Sequence, residues 1–119
     1  MGTIKTYKDL IVWQKSIPLV VLIYTITRGF PQEELYGLIS QMRKSAISIP
    51  SNIAEGYGRR SSGDYQRFLN VSMGSLFELE TQVLIASELG FVGEAAYADA
   101  SAQIDEIERM LSALIEKLK

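Results

Sequence analysis

The chain has no cysteine and no histidine. The first absence excludes a disulfide framework, a thiol nucleophile and thiolate metal sites. The second excludes Ser-His-Asp and Cys-His catalysis, His-ligated zinc, and the Glu-x-x-His iron sites of carboxylate-bridged bundles. Three prolines and nine glycines are too few for a fibrous or low-complexity protein. Neither sign of charge dominates. Twelve Lys and Arg against fourteen Asp and Glu leave −2, so no whole-domain basic field draws in nucleic acid. Long apolar runs are missing too: the most apolar stretch, Ile17 to Ile26, would cover about 15 Å as a helix, roughly half a bilayer core. It reads as a buried helix segment. The start, Met1-Gly2-Thr3-Ile4-Lys5-Thr6, lacks the apolar region of a signal peptide, and a cytoplasmic protein with no membrane contact is expected. What is present is an ordinary globular balance, 47% apolar and 22% charged over 119 residues, enough for one domain spanning residues 1–119.

Apolar residues recur at alternating spacings of 3 and 4, which places them on helical stripes. A first segment, from about Lys8 to Arg28, carries Leu10, Trp13, Ile17, Val20 and Tyr24. Thr6-x-x-Asp9 resembles a capping box at its start, and Gly29 with Pro31 closes it, leaving Phe30 to fold back on the last turn. A second segment opens near Pro31, carries Leu35, Ile39, Met42, Ala46, Ile49 and Ile53, and ends near Gly56-Tyr57-Gly58. Pro18 and Pro50 each delete a backbone bond, so both helices should kink there. A third helix follows Ser61-x-x-Asp64 with Tyr65, Leu69, Ser72, Leu76, Leu79, Val83 and Ala86, stopping at Leu89-Gly90. A fourth, from about Gly93, carries Tyr97, Ala100, Ile104, Ile107, Leu111, Leu114 and Leu118. No segment alternates at period 2 for long enough to make a strand, and the connections are short. The fold class is all-α: an antiparallel up-down-up-down four-helix bundle.

One stripe per helix fills such a core, yet the first helix has apolar residues to spare. Leu19, Leu22, Ile23 and Ile26 fall on faces its stripe leaves open, Ile47 does so on the second helix, and Phe68, Met73, Phe77 and Leu84 on the third. A helix apolar all round must be covered on both sides. Either another subunit supplies the cover, with Leu19, Leu22, Ile23 and Ile26 at the interface, or a wide monomeric core absorbs the surplus.

Few residues suggest chemistry. The turn Glu55 to Ser62 contains Gly56-x-Gly58, but no strand precedes it and no Gly-Lys-Ser/Thr follows, which excludes dinucleotide and P-loop readings. Arg59 and Arg60 precede the start of the third helix, with Arg67 within two turns, so an anion could be met there. Alternatively Glu55 pairs with Arg59 at i, i+4 and the other arginines are solvated. Residues 1–67 hold nine Lys and Arg against five acids, and residues 68–119 hold three against nine. Either a mildly basic face with Arg43 and Lys44 meets a phosphate backbone, or the asymmetry serves pairing between helices or subunits. Glu78 and Glu80 flank Leu79 without a converging ligand, so no metal, cofactor, small-molecule substrate or enzymatic activity is expected. Ser45, Ser48, Ser51 and Asn52 around Pro50 permit close helix approach and can bond carbonyls that the proline frees.

Asp9-Leu-Ile-Val-Trp-Gln-Lys15, Gln41 to Gly56 with its Ile49-Pro-Ser-Asn-Ile-Ala-Glu-Gly56 core, Arg67-Phe-Leu69, Gly74-Ser75 and Glu78-Leu-Glu80 follow the order and spacing of a known family. The chain resembles the four-helix-bundle proteins of 23S ribosomal RNA intervening sequences over roughly residues 7–92. It is similar, too, to the accessory variability determinant of diversity-generating retroelements, which binds a reverse transcriptase and RNA through a strongly basic surface. The resemblance implies an antiparallel bundle assembled as a homopentamer. The expected function is a non-enzymatic homo-oligomeric scaffold acting through contacts with another macromolecule. The alternative is an RNA-associated accessory protein, binding RNA or an RNA-processing protein through Arg43, Lys44, Arg59, Arg60 and Arg67.

Overall fold

Four helices carry the chain: α1 (Ile11–Thr27), α2 (Ser40–Tyr57), α3 (Ser62–Glu88) and α4 (Glu94–Lys117). The computed structural model describes residues 3–119, so the Met1-Gly2 start lies outside it. Among the described residues there is no strand, and no helix is long and apolar enough to cross a membrane. Each helix packs on its sequence neighbours and α1 also meets α4, which closes the square of an antiparallel bundle. The molecule is elongated, 43 × 28 × 20 Å.

Local chemistry sets the helix ends. The Thr6/Asp9 capping box forms, but it closes a single 3₁₀ turn, Tyr7–Asp9, and α1 starts two residues later. The Asp9 carboxylate accepts from the Lys5 and Thr6 amides at 2.8 and 3.0 Å, and these bonds hold its pKa below the usual aspartate value. The Ser61 hydroxyl caps α3 by accepting from the Asp64 amide at 3.1 Å. At the other end of α3, Phe91 N–H donates to Ala86 O at 2.9 Å and Gly90 N–H to Ser87 O at 3.0 Å. This Schellman pair needs the left-handed backbone of Gly90, φ +81°. Phe91 then meets Phe30, ring centroids 5.4 Å apart, so the loop after α1 is pinned to the loop after α3.

Helical backbone continues through Pro18 in α1 and through Pro50 in α2. Helical dihedrals are lost at Gly37 (φ −110°, ψ −109°), inside a π turn, Leu35–Ile39. There the Glu34 carboxylate accepts from the Leu38 amide at 3.3 Å.

The core follows the expected stripes on three helices. Met42, Ala46, Ile49 and Ile53 of α2, Leu69, Leu76, Leu79 and Val83 of α3, and Ile104, Ile107 and Leu111 of α4 are buried. On α1 the phase differs. Its buried line is Val12, Ser16, Leu19, Ile23 and Thr27, whereas Ile17 stands exposed. Ser16 and Thr27 can occupy core positions because each hydroxyl donates to a carbonyl of its own helix, Trp13 O at 2.6 Å and Ile23 O at 2.7 Å.

Gly56 marks the tightest contact between α2 and α3. A Cβ there would lie 2.8 Å from Phe68 Cβ and 3.1 Å from Tyr65 Cδ1, whereas one at Gly74 would meet nothing within 4 Å. Alanine favours a helix interior over glycine by roughly 1 kcal/mol, but overpacking costs about 1–3 kcal/mol. Gly56→Ala is therefore expected to lower thermal stability and Gly74→Ala to raise it, as paired melting curves would read.

Candidate functional site

Of the five basic residues singled out in the sequence, three act within the chain. Arg43 reaches from α2 to the last turn of α1, where Nε donates to Thr27 Oγ1 at 2.9 Å and Nη2 to Tyr24 O at 3.4 Å, with the guanidinium 4.4 Å from the Tyr24 ring centroid. It serves as a C-terminal cap supplied by a neighbouring helix. Arg59 pairs with Glu55 at 3.5 Å and Asp64 at 3.8 Å, and Arg67 with Asp64 at 2.9 Å. Both guanidinium groups lie 4.5 Å from the Phe68 ring centroid. The expected i, i+4 pair of Glu55 and Arg59 thus forms, and Asp64 takes the place at the α3 N-terminus that an anion would need. Arg60 and Lys44 are exposed and enter none of the ion pairs among the described residues. The structure does not join the five cations into one surface: Arg59, Arg60 and Arg67 line a depression at the turn before α3, while Arg43 and Lys44 line a groove beside α1.

The four residues assigned to an oligomer face are placed differently. Leu19 and Ile23 are wholly buried inside the chain itself, and Leu22 and Ile26 are half-buried against the same core. The rotated phase of α1 accounts for this correction. The apolar side chains that α1 leaves in solvent are Ile11, Ile17 and Val21, the last 60% exposed. Of the surplus residues on α2 and α3, Ile47, Phe77 and Leu84 are exposed, whereas Phe68 and Met73 are half-buried; Val71, Ile85 and Leu89, outside that set, are exposed as well. Tyr36, in the π turn, is 92% exposed. Its signal was available in the sequence as Leu35-Tyr36-Gly37, an aromatic beside a glycine within a helical pattern.

Between α2 and α3 runs a ladder of small polar groups. Ser45 Oγ donates to the Glu78 carboxylate at 3.0 Å, Ser48 and Ser75 share a hydroxyl bond at 2.8 Å, and Ser72 Oγ donates to Ile49 O at 2.9 Å. Asn52 bonds back to Ser48 O and Oγ, not to the Ala46 carbonyl that Pro50 leaves without its amide. Among the described residues no three His, Cys, Asp or Glu side chains converge as metal ligands. One rung is incomplete: Gln82, one turn beyond Glu78, is buried with Oε1 lacking a partner. A near-isosteric apolar replacement removes that cost, so Gln82→Met should stabilise the fold by about 1 kcal/mol in chemical denaturation.

Tyr65 packs over Gly56 and meets Tyr57 edge-on, centroids 6.2 Å apart. Burial, then the neighbouring Tyr57, raises its pKa above the usual tyrosine value. A raised folded-state pKa supplies stability that is complete below the unfolded value, about 10, and is lost as pH rises through the folded value. Tyr65→Phe should therefore flatten the alkaline fall in melting temperature relative to the native chain.

A crystal structure of a protein with unknown function from the S23 ribosomal protein family of Bacteroides thetaiotaomicron is similar, with a TM-score of 0.83, 24% identity, and coverage of 92% of this chain and 98% of that one. At that identity the likeness shows the shared bundle fold. Comparison with curated proteins gives no match. The family model described as 23S rRNA-intervening sequence protein matches residues 8–113, nearly the whole bundle, and the chain belongs to that family.

Proposed function

We propose that the chain is a non-enzymatic homo-oligomeric scaffold that works through contacts with another macromolecule. The observation that carries this reading is apolar surface. Ile17 and Val21, Phe77 and Leu84, and Ile85 and Leu89 stand exposed at helical spacing on α1 and α3, with Ile47 and Tyr36 on the α2 side. Exposed stripes of this kind mark contact surfaces rather than reactive sites. The accessible surface, 7038 Å², also exceeds the roughly 6,450 Å² of a compact monomer of this mass. Five copies per assembly is the number that the resemblance in the Ile49–Gly56 motif implies.

Light scattering on a sizing column tests the reading directly. The expected mass is a multiple of 13.3 kDa, five chains for the pentamer, held on dilution into the micromolar range. A single-chain mass there would retire the scaffold. The alternative, an RNA-associated accessory protein, draws on Lys44 and Arg60, the two candidate cations that bond to no other side chain or carbonyl among the described residues. RNA binding over a salt series separates the two: direct contact with phosphates weakens as a power of salt concentration, whereas assembly through apolar faces barely responds.

A further inference from the structure

The groove beside α1 and the outer face of α3 are chemically complementary. The groove is open, about 550 Å³, with Tyr24, Leu35, Tyr36, Ile39 and Ile47 as its apolar lining. Arg43 and Lys44 are the charged groups in that lining. Glu34, in the adjoining turn, is tied to the Leu38 amide. Arg43 is bonded to α1, which leaves Lys44 to meet an incoming carboxylate.

The face of α3 has the opposite character. Phe77 and Leu84, spaced i, i+7, are 44% and 47% exposed, with Thr81 between them and Glu88 one turn beyond on the same line. Glu80 lies beside it. No Lys or Arg occurs anywhere from residue 68 to residue 108, while eight Asp and Glu do. Neither Glu80 nor Glu88 enters the ion pairs among the described residues. The exposed apolar line of α1 does not offer the same match: that helix has Lys15 as its one charged residue, the same sign as the groove.

Resting on the oligomer reading above, we propose that the groove of one copy receives the Phe77–Leu84 face of the next. The Phe77 ring enters the apolar lining beside Tyr24 and Tyr36, and Lys44 faces the acidic flank of α3. Aromatic anchors in desolvated pockets with opposite charges at the rim are the usual energetic centre of an interface. Groove and ridge share no residue, so a head-to-tail contact can be repeated from copy to copy, and it closes into a ring where the rotation between copies divides a full turn.

A mixing experiment tests this geometry. Ile47→Glu blocks the groove and Phe77→Glu blocks the ridge. Circular dichroism first confirms that both chains remain helical; if either unfolds, Ile47→Ser and Phe77→Ser replace them. Each variant alone is expected to run as a single chain under conditions where the native protein assembles. Mixed in equal amounts they retain one working groove and one working ridge between them, and should form a species of two chains that grows no further. If either variant assembles as the native chain does, or the mixture stays at one chain, the pairing is overturned. A native chain that is itself a monomer overturns the oligomer reading and the pairing with it. Native assembly that both variants keep overturns the pairing alone.

Discussion

The distance at which α2 passes α3 governs the rest of the molecule. At Gly56 the two helices are so close that a single methyl group would collide with Phe68 and Tyr65. Along the same seam Ser45, Ser48, Ser72 and Ser75 take positions where larger side chains would force the helices apart. Each hydroxyl that loses water there gains a partner across the seam, a net contribution of about 1 kcal/mol apiece. Their larger effect is on register. Sliding α3 by one turn would leave Glu78 without Ser45 and Ile49 O without Ser72, so the ladder admits one alignment. With that pair fixed, α1 and α4 close the other three sides, mostly through apolar packing.

Most of this architecture was legible in the sequence, because period, caps and glycine stops agreed with one another. The stripes of α2 and α4 read correctly since mostly polar residues stand on their far sides, and that of α3 because Leu69, Ser72, Leu76, Leu79, Val83 and Ala86 keep one line at helical spacing. On α1 the reading slipped. A helix with Ile or Val at nearly every other position between 11 and 26 offers several phases of similar merit. The true one passes through Ser16 and Thr27, which a count of apolar residues penalises. Only the local bonds of those hydroxyls to backbone carbonyls make them acceptable in the core. Placing Leu19 and Ile23 outside was a direct result of that slip.

Charge was harder to read for a different reason. The sequence leaves two readings of Arg43, Arg59 and Arg67 open: a binding set with Lys44 and Arg60, or a Glu55–Arg59 pair with the other arginines solvated. In three dimensions Arg43 caps α1, while Asp64 draws Arg59 and Arg67 against Phe68. Sequence spacing shows the i, i+4 pair of Glu55 and Arg59 but not a partner sixteen residues away on another helix. The apolar groove was less legible still, since it joins residues of two segments across an irregular turn.

That turn also limits how the loop can change. It follows a 3₁₀ turn, Gln32–Glu34, and departs from helical dihedrals at Gly37, so its path depends on length as well as composition. Removing one residue between Leu35 and Ile39 would reorient the chain that leads back to α1, whose Leu19 and Ile23 lie in the core. Substitutions at the exposed Leu35 and Tyr36 leave that path intact. The rim of the groove can therefore vary by side chain but not by length.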